Sequence, residues 1–172
     1  MILVAHRAGN ALADLRAALD AGVDLVEADV LTTAAGDSRL MLDLKGPFQG
    51  VAPLTAAALR EAAPGVPVTV CSRDWGMLAA FDDQPHIRRV YSAGNRRQLD
   101  QVRQLVRRQK VAGLSIRLSL LTPAVVAELH EHTGLVMVWS VDTEAALERA
   151  QTLGVSGIIS KNLPLLRSVA PA

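Results

Sequence analysis

Ile2-Leu3-Val4-Ala5-His6-Arg7 and, after one interval with helical spacing, Asp24-Leu25-Val26-Glu27-Ala28-Asp29-Val30 are the stretches that decide how this chain is read. Each is an apolar run that turns polar toward its C-terminal end. The first ends in a histidine and an arginine, and the second is interrupted by two carboxylates two residues apart. Side chains alternate along a strand, so Glu27 and Asp29 belong on one face. A base, a phosphate-sized cation and a carboxylate pair at one rim suit metal-assisted cleavage of a phosphate ester.

The pattern recurs along the chain. Apolar runs predict strands at 2–6, 24–30, 39–45, 66–72, 89–93, 113–118, 135–141 and 157–161. Helical spacing predicts helices near 11–21, 54–63, 76–81, 95–110, 123–132, 143–153 and 163–169. Asn95 and Thr143 stand where N-caps belong, and Thr122-Pro123 reads as a cap followed by proline at the first helical position. Gly22, Gly65, Gly134 and Gly154 fall where helices stop. Strands as apolar as Leu135-Val136-Met137-Val138 suit a parallel sheet covered by helices. The predicted fold is therefore α/β: one domain over residues 1–172, a compact (β/α)8 TIM-type barrel, with an open doubly wound sheet as the alternative. Residues 31–38 are too few for a crossover helix, so the barrel is expected to lack the helix between strands 2 and 3.

Composition narrows the function. Half the residues are hydrophobic and 3% aromatic, which requires a core of Ala, Val, Leu and Ile. With 18 basic and 17 acidic side chains there is no general drive toward nucleic acid or an anionic membrane. Eight of the basic residues fall between Arg88 and Lys110, but the apolar stripe Leu99, Val102, Leu105 and Val106 leaves most arginines on a solvated helix face without aromatic neighbours. Cys71 is the only cysteine, which excludes a disulfide framework and a thiolate metal cluster. The opening run is too short for a signal peptide and no run reaches transmembrane length, so a cytoplasmic protein without membrane insertion is expected.

In a barrel the catalytic groups stand at the C-terminal strand ends, where His6, Arg7, Glu27, Asp29, Asp43, Lys45 and Trp139 fall. Alternation pairs Asp43 with Lys45 in the barrel mouth. Glu27, Asp29 and Asp43, with no thiolate or histidine pair beside them, suit a hard divalent cation such as Mg²⁺ or Ca²⁺. The plainer reading of Asp43 and Lys45 is an ordinary ion pair. His86, His130 and His132 read as solvated, and Cys71 as a core residue.

The ordered motifs resemble those of the glycerophosphodiester phosphodiesterases. Ile2-Leu3-Val4-Ala5-His6-Arg7 is similar to the family's opening strand, Gly22 to Val30 to its Glu-x-Asp strand, and Leu42-Asp43-Leu44-Lys45-Gly46 to its Glu-Ile-Lys strand. Ser72-Arg73-Asp74-Trp75 resembles its Ser-Phe-Asp turn, Val138-Trp139-Ser140-Val141-Asp142 its Trp-Thr-Val-Asn strand, and Gly154 to Ser160 its closing Gly-Val-Asp-Gly-Ile-Ile-Thr. The resemblance implies a (β/α)8 barrel and a small phosphodiester substrate, cleaved to glycerol 3-phosphate and an alcohol. It also implies a divalent cation on Glu27, Asp29 and Asp43, phosphate contacts from Arg7 and Lys45, His6 in a two-histidine acid/base pair, and Trp139 against the substrate. In that family the substrate's free hydroxyl attacks phosphorus through a cyclic phosphate, one histidine acting as base and the other protonating the leaving alcohol.

Departures from the pattern bear on activity. The family's second histidine would fall between Val30 and Leu40, where there is none. Asp43 replaces glutamate, Lys161 stands where aspartate is usual, and the inserted segment is missing. Impaired turnover is the expectation, with a non-catalytic barrel that keeps its metal and phosphate pocket as the alternative. The short connection is also expected to leave Val26, Leu40 and Leu42 partly uncovered. A two-fold homodimer, or a tilt of the helix near 11–21, would then cover them.

Overall fold

The computed structural model describes residues 1–6, 12–28, 39–46 and 50–170, apart from the side chains of Leu12, Leu15, Leu19, Val26, Glu27 and Ala28. Its strands are β1 (Ile2–Ala5), β2 (Leu25–Ala28), β3 (Leu40–Leu44), β4 (Val68–Ser72), β5 (Ile87–Ala93), β6 (Gly113–Arg117), β7 (Val136–Trp139) and β8 (Gly157–Ser160). Each pairs in parallel with its neighbour in chain order, and β8 returns to β1 with Ile2 opposite Gly157 and Ala5 opposite Ser160. The result is an α/β fold whose parallel sheet curls into a TIM-like barrel, not the open doubly wound alternative. The helices are α1 (Leu12–Asp20), α2 (Val51–Ala62), α3 (Arg96–Arg108), α4 (Pro123–His130), α5 (Glu144–Thr152) and α6 (Leu163–Arg167).

Strand alternation divides the core in two. Val4, Leu25, Met41, Cys71, Val90, Leu135, Met137 and Ile159 pack inside the barrel, with Ile2 and Trp139 against them. The intervening residues, among them Leu3, Leu40, Leu42, Leu44, Val70 and Val138, face outward into a second cluster beneath the helices. Parity therefore carries Asp43 and Lys45, which follow Met41, and Arg73, which follows Cys71, onto the inner face at the mouth.

Capping follows local chemistry. The side chains of Asn95, Thr122 and Thr143 accept from the backbone N–H three residues on, at 2.9, 3.4 and 3.2 Å, and Pro123 occupies the first turn of α4. Two further caps stand directly after strands: Asp74 accepts from Gly76 N–H at 3.2 Å, and Asn162 from Leu165 N–H at 3.2 Å.

Several boundaries differ from the sequence expectation. Helix α2 begins at Val51 rather than near Leu54, because Pro53 lies in its first turn, where the missing N–H costs nothing. β4 begins at Val68, just after Pro67, which cannot donate to a ladder. The segment expected as a helix at 76–81 is 3-10 from Trp75 to Phe81, and Leu118–Leu120 is a 3-10 turn instead of the end of a strand.

β2 and β3 are parallel neighbours, with Val26 opposite Leu40 and Ala28 opposite Leu42. Within the described residues β2 starts at Leu25 and β3 spans Leu40–Leu44; apart from Arg39, the segment that joins them lies outside the described residues. The expected loss of a helix there lies outside the described residues. Exposure of Leu40 and Leu42 is corrected: each is 2% exposed within the single chain, so the reason given for a dimer is not met at these positions. Their parity turns them outward, into the cluster that also contains Ala18 and Ala21 of the α1 region. No helix among the described residues is long and apolar enough to cross a membrane.

Candidate active site at the barrel mouth

The C-terminal ends of the strands enclose a cavity of about 130 Å³ whose lining includes His6, Asp43, Lys45, Arg73, Trp139 and Asp142. Met41, Cys71 and Ile159 form apolar parts of its lining, with Ser92 and Ser115 adding hydroxyls. Four sequence-predicted residues, His6, Asp43, Lys45 and Trp139, thus meet in one space. Arg7 and Asp29 lie outside the described residues, and of Glu27 only the strand position is described: two residues after inward-packed Leu25 and opposite Met41.

Each group is held by its strand end. The backbone N–H of His6 donates to Ser160 O at 2.7 Å, which continues the β1–β8 ladder one residue beyond β1. Lys45 Nζ is 2.7 Å from Asp43 Oδ2, so the plainer reading of these two as an ion pair also holds, inside the cavity rather than on an outer surface. Trp139 donates its indole N–H to Ser115 O at 3.4 Å. Asp142 accepts from the Ser160 hydroxyl at 3.2 Å and from Lys161 N–H at 2.9 Å, while its own carbonyl accepts from the Asn162 amide at 3.2 Å. Lys161 therefore binds the site through its backbone N–H, which any residue type but proline could do.

Two strand-end serines repeat one device. Ser72 donates to Leu44 O at 2.9 Å and accepts from Asp74 N–H at 3.0 Å; Ser160 donates to Asp142 and accepts from Asn162 N–H at 2.9 Å. In both, the hydroxyl turns the chain sharply at the rim and aligns the following cap. Arg73 and Lys161 occupy the residue between hydroxyl and cap.

Sequence reasoning assigned no role to Arg73, Asp142, Ser92 or Ser115. Parity could have found Arg73, two residues after inward Cys71, and Ser115, two before the strand end. Cys71 is buried, 2% exposed, as its reading as a core residue requires, and it also lines the cavity. Of the four histidines, only His6 lines this cavity. His130 Nε2 lies 3.1 Å from Gly154 O on the outer layer, and His86 precedes β5. Among the described residues no three His, Cys, Asp or Glu side chains gather as a metal site. Asp43 is the described member of the predicted set.

The sequence matches no protein-family model and no curated protein. Solved structures do resemble it. A Silicibacter pomeroyi protein provisionally described as a glycerophosphoryl diester phosphodiesterase superposes with a TM-score of 0.78 at 17% identity, covering 96% of this chain and 91% of that one. A glycerophosphodiester phosphodiesterase from Parabacteroides distasonis gives 0.74 at 16% identity, covering 98% and 96%. An Oleispira antarctica phosphodiesterase, solved with its product sn-glycerol-3-phosphate, gives 0.73 at 18% identity, covering 98% and 96%. At these identities the likeness establishes the fold, which this chain shares with glycerophosphodiester phosphodiesterase structures over nearly its whole length.

Proposed function

We propose that this protein is a metal-dependent phosphodiester hydrolase that works in the mouth of a (β/α)8 TIM-type barrel and acts on small glycerophosphodiesters, giving glycerol 3-phosphate and an alcohol. The observation that carries the reading is the meeting of His6, Asp43, Lys45 and Trp139 in one cavity at the strand ends. Shared fold with phosphodiesterase structures supports it.

Glu27, Asp29 and Asp43 are the residues that would hold a divalent cation, Mg²⁺ or Ca²⁺; their all-oxygen donor set fits a hard ion, and Asp43 already faces the cavity. When bound, such an ion polarises a phosphoryl oxygen. The chain's own groups do the rest. Lys45, with Arg7, neutralises and orients the phosphate. His6 takes the proton of the substrate's free hydroxyl as its oxygen bonds to phosphorus. The bond to the alcohol oxygen breaks, and that alcohol takes a proton from solvent, since no second histidine lines the cavity. Water then opens the cyclic phosphate by bonding to phosphorus, and the proton held on His6 returns to the glycerol oxygen as its bond to phosphorus breaks. Trp139 presents an apolar wall to the glycerol carbons.

A positioned general acid is worth roughly 10²- to 10⁴-fold. Its absence predicts slow turnover of glycerophosphocholine, whose alcohol is a poor leaving group, and faster turnover of an activated aryl phosphodiester. Both should require Mg²⁺ or Ca²⁺, and His6→Ala should reduce turnover of the aryl diester by about 10²-fold or more. Failure to hydrolyse either substrate with either metal would leave the second reading, a non-catalytic phosphate-binding barrel. The lone cavity histidine is the observation that favours it.

A further inference from the structure

A second cavity of about 330 Å³ adjoins the mouth and shares two residues with the first, Lys45 and Arg73. Leu44, Met77, Gly94, Asn95 and Gln98 are also among its lining residues. Among the described residues the carboxylates near this junction are already engaged: Asp43 by Lys45 at 2.7 Å, Asp74 by Gly76 N–H, and Asp142 by Ser160 and Lys161. Arg73 differs. Its guanidinium has no hydrogen bond or ion pair among the described residues, although the side chain borders both cavities.

The position of Arg73 is constrained. Gln98 accepts from Gly94 N–H at 2.8 Å and donates to Arg73 O at 3.5 Å, so one side chain ties the end of β4 to the loop after β5. A Cβ on Gly94 would lie 3.3 Å from Trp139 Cη2 and 3.5 Å from Arg73 Cδ. The indole of Trp139 and the stem of Arg73 thus both lie against the side of Gly94 where a side chain would stand. A polar annex therefore adjoins the first cavity across Lys45 and Arg73, with an uncommitted, planar cation at the border.

We propose, resting on the hydrolase reading above, that this annex receives the alcohol half of the diester and that Arg73 selects alcohols bearing an oxyanion, a second phosphate above all. A guanidinium binds two phosphate oxygens in parallel and no ordinary neutral alcohol offers that match. A cationic alcohol such as choline would be repelled at the same point.

The test measures affinity and turnover separately. Calorimetry with Mg²⁺ present and absent compares glycerophosphoinositol 4-phosphate, glycerophosphoinositol and glycerophosphocholine, and hydrolysis of each is followed in parallel. Wild type should bind the phosphorylated inositol diester about tenfold or more tighter than the unphosphorylated one. Arg73→Gln should bring that ratio near unity, and Arg73→Glu should favour the choline diester. Gln98→Ala, a change at a positioning residue, should lower the ratio. Arg108→Gln, at the far end of α3, should leave the ratio alone, which separates local recognition from net charge. Equal affinity for the inositol diesters, a ratio unchanged in Arg73→Gln, or no binding of the phosphorylated probe overturns the proposal. Hydrolysis without a charge preference sinks the annex and leaves the hydrolase; a charge preference without hydrolysis does the reverse.

Discussion

Asp43 is where the chemistry of single residues is most exposed to test. Its Oδ2 is held by Lys45 at 2.7 Å, in the place where a divalent cation would compete with the ammonium group. Calorimetry with Mg²⁺ or Ca²⁺ should give binding that Asp29→Ala abolishes and Asp43→Asn weakens. Lys45→Met should tighten it by about three- to tenfold, because the competing cation is removed. Unchanged metal affinity in Asp29→Ala would remove the proposed ligand set. Asp43 and Lys45 were legible as a pair from alternation alone, since residues two apart share a face. Arg73, two residues after inward Cys71, was open to the same argument, but spacing alone did not show that its turn borders a cavity.

Strands β8 and β1 approach closely at Gly157. A Cβ on Gly157 of β8 would lie 2.8 Å from Ile2 O and 3.0 Å from Met137 Cγ. A backbone carbonyl cannot swing aside, so Gly157→Ala should destabilise by about 1–3 kcal/mol in denaturant titration. Between α3 and α4 the tie is electrostatic. Glu128 Oε2 is 2.6 Å from Arg103 and Oε1 is 2.5 Å from Arg107. The hydrogen bond from Arg103, opposed by burial and assisted by Arg107, holds the Glu128 carboxyl below its ordinary range. A carboxyl lowered in the folded state stabilises above its unfolded pKa, about 4.3, and loses that contribution as the pH falls through the lowered folded value. Glu128→Gln should therefore cost about 1 kcal/mol at neutral pH, with the gap to wild type closing in acid. A constant gap down to low pH would show that packing rather than charge is responsible.

Across the whole molecule the decisive residues are Leu40 and Leu42, each 2% exposed. Their burial within one chain changes what substitution at this wall should do. Leu40→Asp places a carboxylate in the outer core with no partner for it, so thermal unfolding should shift by the equivalent of about 3 kcal/mol or more. A mere change in association, read by light scattering with stability intact, would return the wall to the surface and revive the dimer.

Local spacing by itself determined the apolar runs, their alternation and the caps at Asn95, Thr122 and Thr143, because these depend on residues two to four apart. It placed Asp43 with Lys45 for the same reason. Tertiary structure alone decided which strand ends share a cavity. His6, Arg73 and Trp139 are distant along the chain and meet because the sheet curls until β8 pairs with β1. It also decided that Arg73 and Trp139 both approach Gly94, and that Leu40 and Leu42 are covered. These are contacts between elements, set by the closure of the sheet and the packing of its outer layer, and no periodicity along the chain encodes them.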